Sequence, residues 1–541
     1  MQGRSKCSYF ILFVASLLMG SCIDMQHEPT EAELSAFGEY VYRLDTARME
    51  HTLNALLAAD TARWEADRVV RQRYAAVEAF AEAPLWFERM GVAEEAGLLL
   101  THLRNELPRA GLDSTAFFVP QIAAGLEVVR TLTFDSLGLD INDVLVNLDY
   151  NLSRAYVRYV VGQRYGFVRP DRLFNHSEMK ADSSGWAQLF DYEVKPPDYH
   201  EAMRVLDRSY NENDNDNENE APQVGASRFS RDDSSAERVA YLEASAPKDP
   251  TYRALQQRLL QTTDAAERHT LAVNMERCRW QMKRPDATER MVVVNIPAQQ
   301  LWAACPDSVV NMRICCGATT TKTPLLNSTI THIQVNPDWI ITPNIIKNEV
   351  ARHAGDSAYF ARHRYYITNR QTGDTLNPRQ VTASQLKSGR LRVGQHGGAG
   401  NSLGRIVFRF PNNFSVYLHD TNNPSAFRRE RRTLSHGCIR VEKPFDLALF
   451  LLPTLSEWET DRLRISMDLK PQTKQGKEYL KEHADDTRPL RLIKYRDLSP
   501  RIPVYLIYHT AYPTPGTGEI EFWPDLYGYD KLISQNTPVI K

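Results

Sequence analysis

RIVFRFPNNFSVYLHDTNNPSAFRRERRTLSHGCIRV, residues 405–441, carries both a strand pattern and a reactive cluster. Ile406, Phe408 and Phe410 alternate with polar or smaller neighbours, the period of a half-buried strand. Pro411-Asn412-Asn413 is turn chemistry. Phe414, Val416 and Leu418 then alternate with Ser415, Tyr417 and His419. The pattern predicts a hairpin that carries Tyr417 and His419 on the face opposite the apolar one, at the strand end. A basic loop follows, and then Ser435-His436-Gly437-Cys438. The thiolate is the reactive form of cysteine and needs a base or positive charge beside it at neutral pH. One short excursion of chain brings His419 and His436 toward Cys438, which suits a cysteine nucleophile for acyl transfer.

Each residue type has a role in such chemistry. Gly437 has no side chain, so a substrate carbonyl can approach the neighbouring backbone N–H groups, which would stabilise a tetrahedral oxyanion. His419 is placed as the base. His436, two residues before Cys438, would share its face on a strand and help to bind or orient. Ser435 would hydrogen-bond to either imidazole. A lone cysteine is more often a small buried hydrophobe. A joint cluster of Tyr, His, Ser, His, Gly and Cys is harder to explain that way. Arg428, Arg429, Arg431 and Arg432 make the intervening loop basic, as an acidic ligand would require, although exposed arginines also serve simply as a solvated surface.

Moving outward, the change of texture near residue 290 marks the main domain boundary. Met291 to Ile296 reads MVVVNI, a buried strand by its β-branched content. Strand-like segments recur at residues 313–316 and 330–335, and Pro444 opens a helix that Pro453 ends. Residues 353–392 are polar and rich in Arg, Tyr and Thr, the texture of a mobile lid. Before the boundary the chain is helical. Leu148, Leu152, Tyr156 and Tyr159 recur at helical spacing, as do Tyr252, Leu255 and Leu259 on one face and Leu271, Met275 and Cys278 on another. The expected organisation is a targeting segment at 1–22, a helical scaffold at 23–210, an acidic linker at 211–236, a helical return at 237–290 and a β-rich catalytic domain at 291–541, together an α+β multidomain chain. At 541 residues the length fits several domains. The linker holds NENDNDNENE at 211–220, which cannot bury a core and lacks the central glycine of an EF-hand. A net charge of −2 gives no reason to expect nucleic acid.

The N-terminus reads as an export signal. Arg4 and Lys6 precede an apolar stretch too short to span a membrane, which ends in Met19-Gly20-Ser21-Cys22. Small residues before a cysteine resemble a bacterial lipobox, with Cys22 lipidated; Met19 stands where leucine is usual. Cys278, Cys305, Cys315 and Cys316 remain after Cys7, Cys22 and Cys438 are set aside. No CxxC pair is present, so neither a zinc site nor a cofactor is expected. One disulfide among the four and buried free thiols are both open in an exported protein.

HDT…SHGCIRVEKP resembles the signature of the YkuD-type L,D-transpeptidases, a His-Gly followed after a spacer by Ser/Thr-His-Gly-Cys. Asp420 replaces the glycine, a form found in the larger, YcbB-like branch. Further blocks match that branch: Asn274-Met275-Glu276-Arg277 with Arg279-Trp280, Val294-Asn295-Ile296-Pro297, Thr323-Pro324, Asn336-Pro337-Asp338-Trp339, Asn401 with Leu403-Gly404, and Pro503-Val504-Tyr505. The resemblance covers residues 250–541 closely and the helical half loosely. It implies a tetrapeptide peptidoglycan stem as acyl donor, attack by Cys438 at the L-centre of the third residue, release of D-alanine, and a 3→3 crosslink formed by the amine of a second stem. His419 is then the base, with the Asp420 carbonyl fixing its tautomer, and Ser435, His436 and Gly437 complete the site. Arg440, Tyr417 and Asn401 are expected to bind substrate, and residues 353–392 stand in place of the family's capping subdomain. The small peptidoglycan-binding module often found in this branch is not evident. The same thioester would also serve an L,D-carboxypeptidase or a protein-anchoring enzyme, and a non-catalytic wall-binding lipoprotein is the alternative of another class. The expected location is the periplasmic face of the outer membrane, through a lipid on Cys22.

Overall fold

A computed structural model describes residues 44–541, apart from 78, 83, 89–90, 180–184, 209, 211–230, 284–288 and 399. The signal segment, Cys22 and the NENDNDNENE run lie outside the described residues. The chain divides into two compact units. One takes residues up to 104, with 114–159 and 199–244; the other takes 105–113, 160–198 and 245–541.

The first unit is helical, as its periodicities require. Helix α1 (Thr46–Ala59) starts where the Asp45 carboxylate accepts from the Arg48 N–H, and it buries Met49, Leu53 and Leu57 at i, i+4, i+8. Helix α2 (Glu65–Ala75) and helix α3 (Ile141–Tyr165) follow. Leu148, Leu152, Tyr156 and Tyr159 of α3 are all buried. Two buried ion pairs lie in this unit. Arg158 forks onto Asp67 at 2.5 and 2.6 Å, and Arg73 meets Asp207 at 2.8 Å. Burying either charge alone would cost several kcal/mol, roughly 3–5.

The second unit is built on a sheet that closes on itself. Its strands are β1 (Phe190–Asp191), β2 (Met291–Asn295), β3 (Gln300–Cys305), β4 (Ser308–Gly317), β5 (Leu325–Val335), β9 (Ile406–Arg409), β10 (Leu418–His419), β11 (Thr433–Ser435), β12 (Ile439–Val441) and β13 (Tyr495–Ile507), with β6 to β8 reserved for the capping insert below. The order is β9-β10-β12-β4-β3-β2-β13-β5-β1, and β9 also pairs with β5, which closes a cycle of eight strands. Closure removes the free edges that an open sheet would expose. Every residue of β2 is buried, as a run of valines predicts. Helices α4 (Pro250–Gln261) and α5 (Ala265–Arg279) fall in this unit. Their two apolar faces meet: Tyr252, Leu255 and Leu259 share one core with Leu271, Met275, Cys278 and Ala511. The matched block at 274–280 is structural here. Asn274 and Thr510 exchange hydrogen bonds, Arg277 pairs with Asp530 at 2.6 Å, and Glu276 accepts from the Phe167 N–H and the Trp280 indole.

The hairpin forms over a shorter length than the alternation suggests. β9 and β10 pair antiparallel, with Val407 opposite His419 and Phe408 opposite Leu418. Residues 414–417 do not extend the strand. Asn412 prevents this: its Oδ1 accepts from the N–H groups of Phe414 and Val416, its Nδ2 donates to the carbonyls of Phe410 and Val416, and Ser415 takes a left-handed φ of 56°. The two-faced reading also fails. Ile406, Val407, Phe408, Leu418 and His419 are all buried, because the closed sheet is covered on both sides at this point.

The capping insert is wider and more apolar than residues 353–392. Strands β6 (Trp339–Ile340), β7 (Tyr365–Asn369) and β8 (Leu391–Gln395) form a three-stranded antiparallel sheet with β8 central. Helices α6 (Pro343–Asn348), α7 (Ser357–Arg362) and α8 (Ala383–Lys387) complete it. Ile341, Ile345, Ile346, Val350, Phe360, Ile367, Leu386 and Val393 make a separate hydrophobic core. The segment read as a polar lid is a small folded subdomain. Tyr359 stacks on His353 at 3.9 Å and packs against Phe360 and Tyr365.

Candidate active site

β10 and β12 run parallel as neighbours, with Leu418 opposite Ile439 and His419 opposite Arg440. The Ile439 N–H donates to the Tyr417 carbonyl at 3.1 Å. This register puts Cys438, just before β12, opposite Tyr417, just before β10, with His419 opposite Arg440 two residues further on. The half-buried Cys438 Sγ lies 3.7 Å from the Ser415 carbonyl. Burial pushes its thiol pKa up; the Tyr417 N–H and hydroxyl and the charges of Arg409 and Arg440 pull against that shift. The Arg409 guanidinium sits over the Tyr417 ring at 4.3 Å, and the rings of Tyr417 and His419 are 5.8 Å apart.

His419 is buried and its imidazole pKa falls to about 3, first through burial and then through the Arg440 charge. The carbonyls of Asp420 and Leu403 oppose the shift, but Nδ1 makes no hydrogen bond among the described residues. Burial thus favours the uncharged form of both groups, the thiol of Cys438 and the imidazole of His419. A neutral imidazole is the form that can accept a proton, as the base expected at His419 must. Asp420 holds the loop behind this base. Its carboxylate accepts from the N–H groups of Arg405 at 2.8 Å and Thr421 at 2.7 Å, and it lies so close to Gly404 that a Cβ there would meet it at 2.4 Å.

Ser435 does not reach an imidazole. Its Oγ donates to the Cys438 carbonyl at 2.5 Å and accepts from the Gly437 N–H at 3.1 Å. One of the amides expected to receive an oxyanion is thus committed to Ser435. Gly437 has φ +118°, open to glycine and strained for other residues; space is not the constraint, since a Cβ would find its nearest neighbours at 3.8 Å. Residues 436–437 are a bend, so His436 does not share a strand face with Cys438. Its Nε2 meets Glu349 Oε1 of the capping subdomain at 2.6 Å, and its side chain is exposed.

The expected binding residues divide. Arg440 stands beside His419 with its Nε buried and without a hydrogen-bond partner among the described residues. Tyr417 touches the nucleophile. Asn401 is fully buried and its amide is spent on its own loop, donating to the carbonyls of Gln395 and His396 and accepting from the Leu403 N–H, so it shapes the loop behind His419. Of the basic loop, Arg432 is a buried strut that donates to the carbonyls of Ile314, Gln299 and Arg429, while Arg428, Arg429 and Arg431 are exposed. Sequence reasoning missed Glu349, Trp339, whose indole acts on the Tyr417 hydroxyl, and Thr323, which holds the Gly437 carbonyl. Trp339 and Thr323 fall in matched blocks; Glu349 carries no sequence signal.

Comparison with known proteins agrees with this geometry. Residues 289–465 match the model of the L,D-transpeptidase catalytic domain, YkuD, and residues 70–259 match the Scaffold domain. A Haemophilus influenzae protein named "Putative L,D-transpeptidase" is 30% identical over 246 residues, 45% of this chain. The chain spans 45% of that relative's length. The chain thus carries a Scaffold domain and a YkuD L,D-transpeptidase catalytic domain, and the second spans both His419 and Cys438.

Proposed function

We propose that the protein is a peptidoglycan L,D-transpeptidase that forms 3→3 crosslinks through a thioester on Cys438. The observation that supports this reading is the parallel register of β10 and β12, which brings together the neighbouring strands that carry His419 and follow Cys438, with His419 buried and its imidazole pKa lowered to about 3. His419 takes the thiol proton as Sγ attacks the carbonyl at the L-centre of the third stem residue. The C–N bond to the terminal D-alanine breaks, and the proton leaves on that amine. The side-chain amine of a second stem then attacks the thioester, loses its proton to His419, and releases the thiol. Arg440, with a buried Nε still to satisfy, pairs with a stem carboxylate. The test is mass spectrometry of products from purified tetrapeptide muropeptides. Dimers linked 3→3 are expected; tripeptides alone would make the enzyme an L,D-carboxypeptidase. Neither product would favour a wall-binding role. A carbapenem is expected to add once to the intact protein, at Cys438.

The protein's place is proposed as the periplasmic face of the outer membrane, anchored through Cys22. Gly20-Ser21-Cys22 after a short apolar run supports this, and Ile23 rather than aspartate follows the cysteine. Globomycin should accumulate an uncleaved precursor. A Cys22→Ser protein that fractionates like wild type would contradict the anchor.

A further inference from the structure

Thr323 is fully buried and lies 114 positions from the nucleophile loop in sequence. Its Oγ1 donates to the Gly437 carbonyl at 2.8 Å and accepts from the Gly317 N–H at 2.9 Å. Its own N–H donates to the Tyr527 hydroxyl at 3.2 Å, and that hydroxyl donates to the Gly317 carbonyl at 2.7 Å. The three segments 317–323, 437 and 527 are thus tied at one buried point. The Gly437 carbonyl and the Cys438 N–H belong to one peptide plane. In a trans peptide they point in opposite directions. Fixing the carbonyl inward on Thr323 therefore fixes the Cys438 N–H outward. Among the described residues that N–H donates to no acceptor, whereas the Gly437 N–H is held by Ser435.

We infer that Thr323, braced by Tyr527, is a positioning residue that aims the Cys438 N–H at the oxyanion of the tetrahedral intermediate. The inference rests on Cys438 acting in acyl transfer. Gly437 supplies the φ that lets its peptide turn, and a glycine peptide is also free to turn back; the Thr323 hydroxyl removes that freedom before substrate arrives. Oxyanion donors help acylation because they are set in advance where charge develops. They contribute nothing to a displacement at saturated carbon, which forms no oxyanion.

That difference supplies the test. Thr323→Val keeps the shape and removes the hydroxyl. Acylation of Cys438 by a carbapenem and by tetrapeptide muropeptide should fall roughly 10- to 100-fold, less than loss of a donor outright. Alkylation of the same thiol by iodoacetamide should stay within about twofold of wild type, since that displacement forms no oxyanion for the Cys438 N–H to meet. Thr323→Ser should restore most of the acylation rate. If Thr323→Val does not fold, Tyr527→Phe, which loosens the same tie, should show the same split with a smaller fall. Unchanged acylation, or alkylation falling in step with it, would overturn the inference. Wild-type protein that reacts with the carbapenem but not with muropeptide would remove the peptidoglycan reading and leave this inference to be judged on the carbapenem rates. No acylation of wild type by either would remove both.

Discussion

Cys438→Ala should reduce muropeptide crosslinking to background and eliminate the carbapenem adduct, with no change in circular dichroism and little in Tm. The side chain is half-buried and contacts the Ser415 carbonyl only at 3.7 Å, so its removal leaves packing nearly intact. Covalent catalysis has no substitute for the missing nucleophile. The remaining thiols provide an internal control. Cys278, Cys315 and Cys316 are buried, and burial raises the thiol pKa of Cys316 to about 12. Cys305 is partly exposed, and its hydrogen bond with Ser308 lowers its pKa, so any residual labelling of the variant should map there. Dimers formed at near wild-type rate by Cys438→Ala would remove the assignment of the nucleophile.

His419→Asn should slow acylation by about 10²–10⁴-fold, the range for loss of a general base. The accompanying pH behaviour separates this site from one with a preformed ion pair. His419 is neutral down to about pH 3 and the Cys438 thiol pKa is raised, so iodoacetamide alkylation of wild type should keep climbing through pH 9 without a neutral plateau. A plateau between about pH 6 and 8 would show a thiolate–imidazolium pair instead. Stability should respond in the same sense. Between the unfolded value of 6.5 and the folded value of about 3, the unfolded chain binds a proton at His419 that the native state does not. This contribution is present above the unfolded value and is lost as pH falls through that window. Urea denaturation from pH 7 to pH 4 should show a smaller acid loss in His419→Asn than in wild type.

The parts that local pattern could announce were legible before the structure. Valines in sequence marked β2 as a buried strand, apolar spacing marked α3, α4 and α5, and the Ser-His-Gly-Cys unit marked the candidate nucleophile. What was missed depends on contacts distant in sequence or on one polar side chain overriding a pattern. Asn412 captures two backbone amides and ends an alternation that otherwise reads as strand. The capping core draws Ile341, Ile345, Ile346 and Val350 from before the polar stretch, Ile367 and Leu386 from within it and Val393 from just after it, so no window showed it as apolar. His436 left its expected face because Gly437 takes a backbone conformation that no strand contains. The Thr323 tie joins residues far apart in sequence, and only tertiary structure brings them together.

The parallel pairing of β10 with β12 bears on how this enzyme can vary. Parallel neighbours must be joined by a crossover, here the chain from Thr421 through β11, and the crossover does not set the distance between base and nucleophile. Register does. Lengthening the exposed stretch near Asn422 to Ser425, or near Arg428 to Arg431, adds surface chain and leaves His419 opposite Arg440. One residue added between Ser435 and Cys438 would break the Ser435 Oγ bonds to the Gly437 N–H and the Cys438 carbonyl that shape the bend before the thiol. Diversity in substrate choice can therefore accumulate in the crossover at little cost to chemistry, while the four residues before Ile439 tolerate no change of length.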